Sequence, residues 1–195
     1  MARWQPGAGE RMRGAALHLF AEHGYDATTA ADIAAAVGLT ERTFYRYFAD
    51  KREVLFWGSV EFEESFLDAV DAMPSDAPAM AVVAAAVEGG ASGFTPERRE
   101  FAALRHRIVD ATPQLRERER DKMARLATII ADRLTARGVD PTDAELAAHS
   151  GVTVFTTAFA LWVADGTRAP DAVCRGLFDD LARLTGQLKS STETV

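Results

Sequence analysis

The stretch GYDATTAADIAAAVGLTERTFYRYFADK, Gly24 to Lys51, decides the fold. Thr29 with Asp32 three residues later is a capping-box pair, which predicts a short helix over 30–37 closed by Gly38. Thr40 caps a second short helix over 41–48, with Thr43 at its third position. Ile33, Val37, Leu39, Phe44 and Phe48 then meet across a tight turn at Gly38-Leu39-Thr40, and Ala34 is small where the two backbones approach. The pattern is a helix-turn-helix, whose second helix can enter a DNA major groove. The residues left outside suit that task. Glu41, Arg42, Tyr45 and Arg46 carry donors, acceptors and ring faces for base edges or the neighbouring backbone. Thr29, Thr43, Tyr47 and Lys51 offer hydroxyls and an ammonium to phosphates, and the two helix N-termini add partial positive charge.

Outward from this segment, almost every periodic stretch reads as helix. Met12, Ala15, Ala16, Leu19 and Phe20 share one face of a first helix, and Gly24 stands where a left-handed cap belongs. Asp50 with Glu53 predicts a long fourth helix reaching about Met73, a rod of roughly 34 Å at 1.5 Å per residue. Further helices are expected over 79–88, from Thr95-Pro96 to 111, from Pro113 to about 137, over 142–165 and over 169–188, with the tail from Ser190 frayed. Gly89, Gly90 and Gly93 read as a flexible linker. No run alternates with period two, so the fold class is all-α, with nine helices.

Composition narrows the function classes. The chain has 195 residues, a net charge of −7 and one cysteine, Cys174, so neither a disulfide framework nor a Cys-rich zinc site is expected. Residues 1–57 carry seven basic and seven acidic side chains, so the whole negative excess lies in the remainder. A neutral head on an acidic body suggests two tasks in one chain. The longest uncharged apolar run, Ala79 to Val87, is about half a membrane span, and the start MARWQPGAGERMR lacks a signal-peptide core. No membrane association is therefore expected, and a cytoplasmic location is.

The succession TT, IA, VGLT, TFYRYF and K within 28–51 resembles the N-terminal domain of the TetR family of transcriptional regulators, and the order of the following helices is similar too. The resemblance implies a DNA-binding domain over 1–55 and a ligand-binding and dimerisation domain over 56–195. It implies phosphate contacts for Thr29, Thr43, Tyr47 and Lys51, and base or backbone contacts for Glu41, Arg42, Tyr45 and Arg46. Ala31 stands where many members place a long base-reading residue, so readout from the first of the two short helices is reduced. Arg3, Arg11 and Arg13 read either as a minor-groove arm or as solvated charges.

A single recognition helix reads few base pairs, so the expected form is a homodimer on a palindromic double-stranded operator. Val152, Phe155, Phe159 and Trp162 form one apolar stripe, and Val173, Leu177, Phe178, Leu181 and Leu184 another. In the resembled family such helices pair two subunits; the alternative is that they close the monomer's own core. The family also implies a small-molecule effector that lowers DNA affinity. Its candidate walls are Phe56, Phe62, Phe66, Leu104, Ile108, Phe155 and Phe159. Ala103 to Arg118 resembles acyl-CoA-responsive members, including the mycofactocin regulator, which implies that Arg105, with His106 and Arg107, meets an anionic head on an acyl chain. A charged helix face is the plainer reading of those three.

No phosphate-binding glycine loop or GxSxG motif is present in the sequence, and Glu145 with His149 is a metal pair lacking companions. Neither an enzyme nor a cofactor is expected. A helical ligand-binding enzyme and a ligand-free architectural DNA or protein-interaction module remain the alternatives to a ligand-responsive repressor.

Overall fold

The computed structural model describes residues 7–192, with side chains to residue 187. Among the described residues there are nine α-helices, two 3-10 turns and no strand, and the all-α expectation is met. The helices pack into two units, Met1–Ser59 with Phe101–Glu119, and Val60–Glu100 with Arg120–Val195. The first is larger than the 1–55 segment marked out by motif, because residues 101–119 fold with it. Arg3 and residues 193–195 of the tail lie outside the described residues, while 190–192 are still helical.

The first unit holds α1 (Ala8–His23), α2 (Ala30–Ala36) and α3 (Glu41–Tyr47) around Met12, Leu17, Phe20, Ile33, Phe44 and Phe48. Val54 and Leu55, from a 3-10 turn (Glu53–Phe56), and Ile108, Val109 and Leu115 complete that core. Thr29 caps α2 in a full capping box with Asp32, and Thr40 accepts from the Thr43 amide at the start of α3. Gly38, at φ 71°, ends α2 in a Schellman arrangement: its amide donates to Ala35 O and that of Leu39 to Ala34 O, at 3.0 and 2.9 Å.

The long fourth helix is not formed. After the 3-10 turn the chain leaves helical geometry at Trp57 (ψ 132°) and passes through Gly58 at φ 85°, which only glycine adopts without strain. Asp50 caps this turn through the amides of Arg52 and Glu53, and α4 proper is the 14-residue helix Ser59–Ala72. At about 21 Å it is no rod running on from Lys51.

The second unit packs α4, α5 (Ala79–Ala91), α7 (Pro113–Ala136, from Arg120 on), α8 (Pro141–Ala164) and α9 (Pro170–Thr192) around Phe66, Val83, Leu126, Ile130, Ala148 and Phe155. The intervening helix α6 (Arg99–Ala111) follows a second 3-10 turn, Pro96–Arg98. Gly89 and Gly90 are not a linker. Both lie inside α5, where a Cβ on Gly90 would sit 2.1 Å from the Phe66 ring and one on Gly89 2.9 Å from Ser65 O. Gly151 does the same for α8 against Val83, at 2.2 Å. Gly90→Ala is therefore expected to destabilise the fold by about 1–3 kcal/mol of overpacking, although alanine is the better helix former. Gly186→Ala on α9, with nothing within 4 Å, should be neutral or gain about 0.5–1 kcal/mol. Urea unfolding of both variants checks the pair, and equal effects would contradict the close packing of α4 on α5.

By length and composition α8 is also a helix that could cross a membrane, a possibility that the unbroken-run criterion passed over because Thr, Ser and His interrupt it. Much of it is core instead: Ala144, Ala148, Val152, Phe155 and Trp162 are buried, and α5 and α9 pack along it. Val152, Phe155, Trp162 and Val173 thus close the unit's own core, the plainer of the two readings of those stripes.

Candidate nucleic-acid interface

Phe44 fixes α3 in place. Its ring is fully buried, 5.0 Å from that of Phe48, and turns the other side of the helix to solvent. Glu41, Arg42, Tyr45 and Arg46, spaced at i, i+1, i+4 and i+5, are all exposed on that side. Tyr45 is 54% exposed, with its ring in edge contact with that of Phe44. The structure therefore brings together all four residues assigned to base reading. A seven-residue helix with one buried anchor displays two guanidinium groups, a phenol and a carboxylate on a single face. Such a face can present planar donors to guanine edges and a ring to a thymine methyl or a sugar.

The four residues assigned to phosphates are more committed to the fold. Thr29 Oγ1 donates to Asp32 at 2.7 Å and accepts from its amide at 3.1 Å. The hydroxyl bond, with that from the Thr29 amide to the same carboxylate at 2.9 Å, holds the Asp32 carboxyl below its ordinary range and places an anion at the N-terminus of α2. Thr43 Oγ1 lies 3.0 Å from Thr40 Oγ1. Tyr47 is half-buried beside Phe48 and Trp57, with the Arg46 guanidinium 5.4 Å from its ring centre. Of the possible arm residues, Arg11 is exposed on α1 and Arg13 lies 4.7 Å over Phe101.

Lys51 has an internal task that the sequence did not announce. Its ammonium donates to Tyr25 O at 2.6 Å, Thr28 O at 3.0 Å and Asp26 O at 3.4 Å, and lies 4.2 Å over the Tyr25 ring. Burial pushes the Tyr25 phenol up to about 12, so the ring beneath the cation stays neutral. Thr28, only 2% exposed, completes the joint by donating to Gly24 O at 2.9 Å and Leu19 O at 3.3 Å. The two threonines differ in role: the second caps α2 and the first ties the loop to the end of α1. Lys51→Ala is expected to cost about 1–2 kcal/mol, the worth of charge-assisted bonds to carbonyls at a half-buried site. Denaturant unfolding measures it, and unchanged stability would contradict the joint.

The residues assigned to an effector fall in different units. Leu104 and Ile108 pack into the core of the first. Arg105, its side chain 13% exposed, donates to Leu55 O at 2.8 Å and Glu119 at 2.5 Å and lies 5.1 Å over Phe56. Its fork is spent on the fold rather than held out for a ligand. Phe62, Phe66, Phe155 and Phe159 do meet, in the second unit, where Phe94 and Trp162 join them in a chain of tilted and edge contacts with centroids 5.0–6.5 Å apart. Lys122 lies 4.2 Å over the Phe62 ring. Beside these rings is a cavity of about 10 Å³, room for about one water molecule. In the sequence Phe94 goes unmarked, because it follows glycines that read as linker, and Trp162 reads as part of the apolar stripe of 152–162 rather than of the effector walls.

Residues 14–56 match the family model described as bacterial regulatory proteins, tetR family. The chain is 37% identical over 139 residues to the HTH-type transcriptional regulator TcmR of Streptomyces glaucescens, an alignment covering 66% of this chain and 59% of that one. It therefore spans less than two thirds of that relative's length. Among solved structures, a TetR-family transcriptional regulator from Syntrophomonas wolfei superposes with a TM-score of 0.65 at 17% identity, covering 91% of this chain and 94% of its own. A regulatory protein of the tetR family from Rhodococcus RHA1 gives 0.55 at 22% identity, covering 92% and 97%. These two likenesses concern the fold.

Proposed function

The chain belongs to the TetR family of bacterial regulatory proteins, and from that premise we propose that it is a cytoplasmic, homodimeric repressor that binds a palindromic operator and leaves it when a small apolar effector binds. The observation that carries the reading is the outward face of α3, where Arg42, Tyr45 and Arg46 stand clear of a helix anchored by Phe44. These residues read bases, Thr29, Thr43 and Tyr47 flank them toward the phosphates, and Lys51 holds the loop before α2 in register. The head has no net charge, yet two of its seven basic side chains, Arg42 and Arg46, stand together on the exposed face of α3.

Dimerisation is supported by α8. From Leu146 to Ala164 it carries no Asp, Glu, Lys or Arg, yet one face is left to solvent. Leu146 is 65% and Leu161 45% exposed there, with Thr153, Thr157 and Ala160 between them. A long uncharged face with a leucine at each end and small residues between them is what a second copy would cover.

The effector site is assigned to the aromatic cluster of the second unit. With Arg105 engaged by Leu55 O and Glu119, an acyl compound held by its anionic head is not supported by this arginine, and an apolar ligand is. A hundredfold loss of operator affinity requires about 2.7 kcal/mol of coupling between the sites. The test is a reporter gene placed behind the selected operator: the protein should silence it, and an apolar effector should restore expression. Activation by the protein would overturn the repressor assignment.

A further inference from the structure

Five of the six rings in the second unit's aromatic cluster are carried by helices, Phe62 and Phe66 by α4 and Phe155, Phe159 and Trp162 by α8. Phe94 is carried by the short connection between α5 and the Pro96–Arg98 turn. Its ring nevertheless lies 5.1 Å from Phe159, 5.7 Å from Trp162 and 6.0 Å from Phe155. The connection is short, and Ser92 ties its start to α5 by donating to Glu88 O at 3.0 Å and Gly89 O at 2.6 Å. Phe94 N donates to Ala91 O at 3.0 Å, Ser92 and Gly93 are exposed, and a Cβ on Gly93 would meet nothing within 4 Å. Around the ring, the cavity walls include Ala91, Phe155, Phe159, Trp162, Pro170 and Cys174. None is charged, and burial pushes the Cys174 thiol up to about 11, so it too is neutral at pH 7.

We infer that Phe94 is a removable plug, and that the space it fills is a site for a neutral one-ring aromatic molecule that displaces it. The inference rests on the effector reading above and sharpens it by naming the gate and the ligand class. Turning the ring out gives up contacts that an aromatic guest restores with the same partners, so exchange is nearly balanced. A helix-borne ring can turn only about its own χ1 and χ2 from a fixed backbone, whereas Phe94 can also move with its connection. A carboxylate entering the same space would find no cation among those walls, and leaving its charge unpaired there is strongly unfavourable.

The test uses the full chain and fluorobenzene, followed by its 19F line width, with benzoate as the charged comparison. Wild-type protein should bind fluorobenzene saturably, Phe94→Ala at least about tenfold more tightly, and Phe94→Trp not measurably; none should bind benzoate. Should Phe94→Ala fail to fold, the wild type against Phe94→Trp decides. Saturable binding by the alanine variant alone would mean that the space exists only by mutation, and would overturn the proposal. So would equal binding by wild type and Phe94→Trp, or benzoate binding as well as fluorobenzene. Operator release plays no part in this readout. A negative result leaves the repressor reading standing, whereas the effector reading falls separately if no compound of any class releases DNA.

Discussion

Arg42→Ala or Tyr45→Ala is expected to lower operator affinity by a factor between about 30 and more than 10⁴, with the fold unchanged. One good base contact is worth about 1–3 kcal/mol, and a symmetric dimer loses it in both half-sites, so about 2–6 kcal/mol disappears. The range is wide because a bidentate guanidinium contact and a ring contact differ in worth. Both side chains are exposed, and Tyr45 gives up an edge contact with Phe44, so thermal unfolding should move little. Affinity for random-sequence DNA should fall far less, because it draws on phosphates rather than base edges. Fluorescence anisotropy with operator and scrambled duplexes separates the two effects. Equal losses on both duplexes would place Arg42 and Tyr45 on the backbone, and no loss on either would remove α3 from the interface.

The second large effect concerns assembly. Leu161→Glu should convert a dimer of twice 21.1 kDa into monomers at micromolar concentration. A carboxylate forced into an apolar contact without a partner costs several kcal/mol, and the two-fold axis imposes it twice, so the dimer dissociation constant should rise by about 10³-fold or more. Leu161 is partly exposed in the single chain, so the variant should keep its helical content, which separates lost pairing from lost folding. Leu146→Glu tests the far end of the same face. Sedimentation equilibrium reads both variants, and a Leu161→Glu protein that remains dimeric would move the interface off α8.

What the sequence disclosed and what it withheld follow from the range of the forces involved. The turn between α2 and α3 was legible because its determinants are local: Thr29 with Asp32, Thr40, and Gly38 are each read from neighbours within four residues. The outward set Glu41, Arg42, Tyr45 and Arg46 followed from helical spacing once the buried side was known. The break at Trp57-Gly58 was not legible, since the residues around it keep a helical period and one glycine does not declare its φ. Gly89 and Gly90 misled for the opposite reason. Alone they look flexible, but their smallness answers Phe66 and Ser65 of another helix. Arg105 and Lys51 show the same limit for charge, because a cation's acceptors can be backbone carbonyls some 50 and 23–26 residues away, as Leu55 O and the 25–28 loop are.

Helix ends in the second unit make the point again. Arg137 donates to Val70 O and Met73 O at 3.2 and 3.1 Å, and also to Pro74 O, satisfying carbonyls at the end of α4. Arg99 does so for Trp162 O and Val163 O at 3.1 and 3.0 Å near the end of α8, filling the space beside Gly166. Neither arginine is distinguishable in the sequence from the solvated charges around it. Both tie helix ends within the unit that carries the aromatic cluster.

The most direct measurement of the central claim is selection of DNA from a random-sequence pool by the full chain, with sequencing of what is retained. A homodimer reading bases through the exposed face of α3 predicts enrichment of an inverted repeat, with its two half-sites about one helical turn of DNA apart. An Arg42→Ala protein should lose that enrichment. Retention of DNA with no sequence preference, or of a single half-site with no inverted partner, would contradict a sequence-specific dimeric regulator.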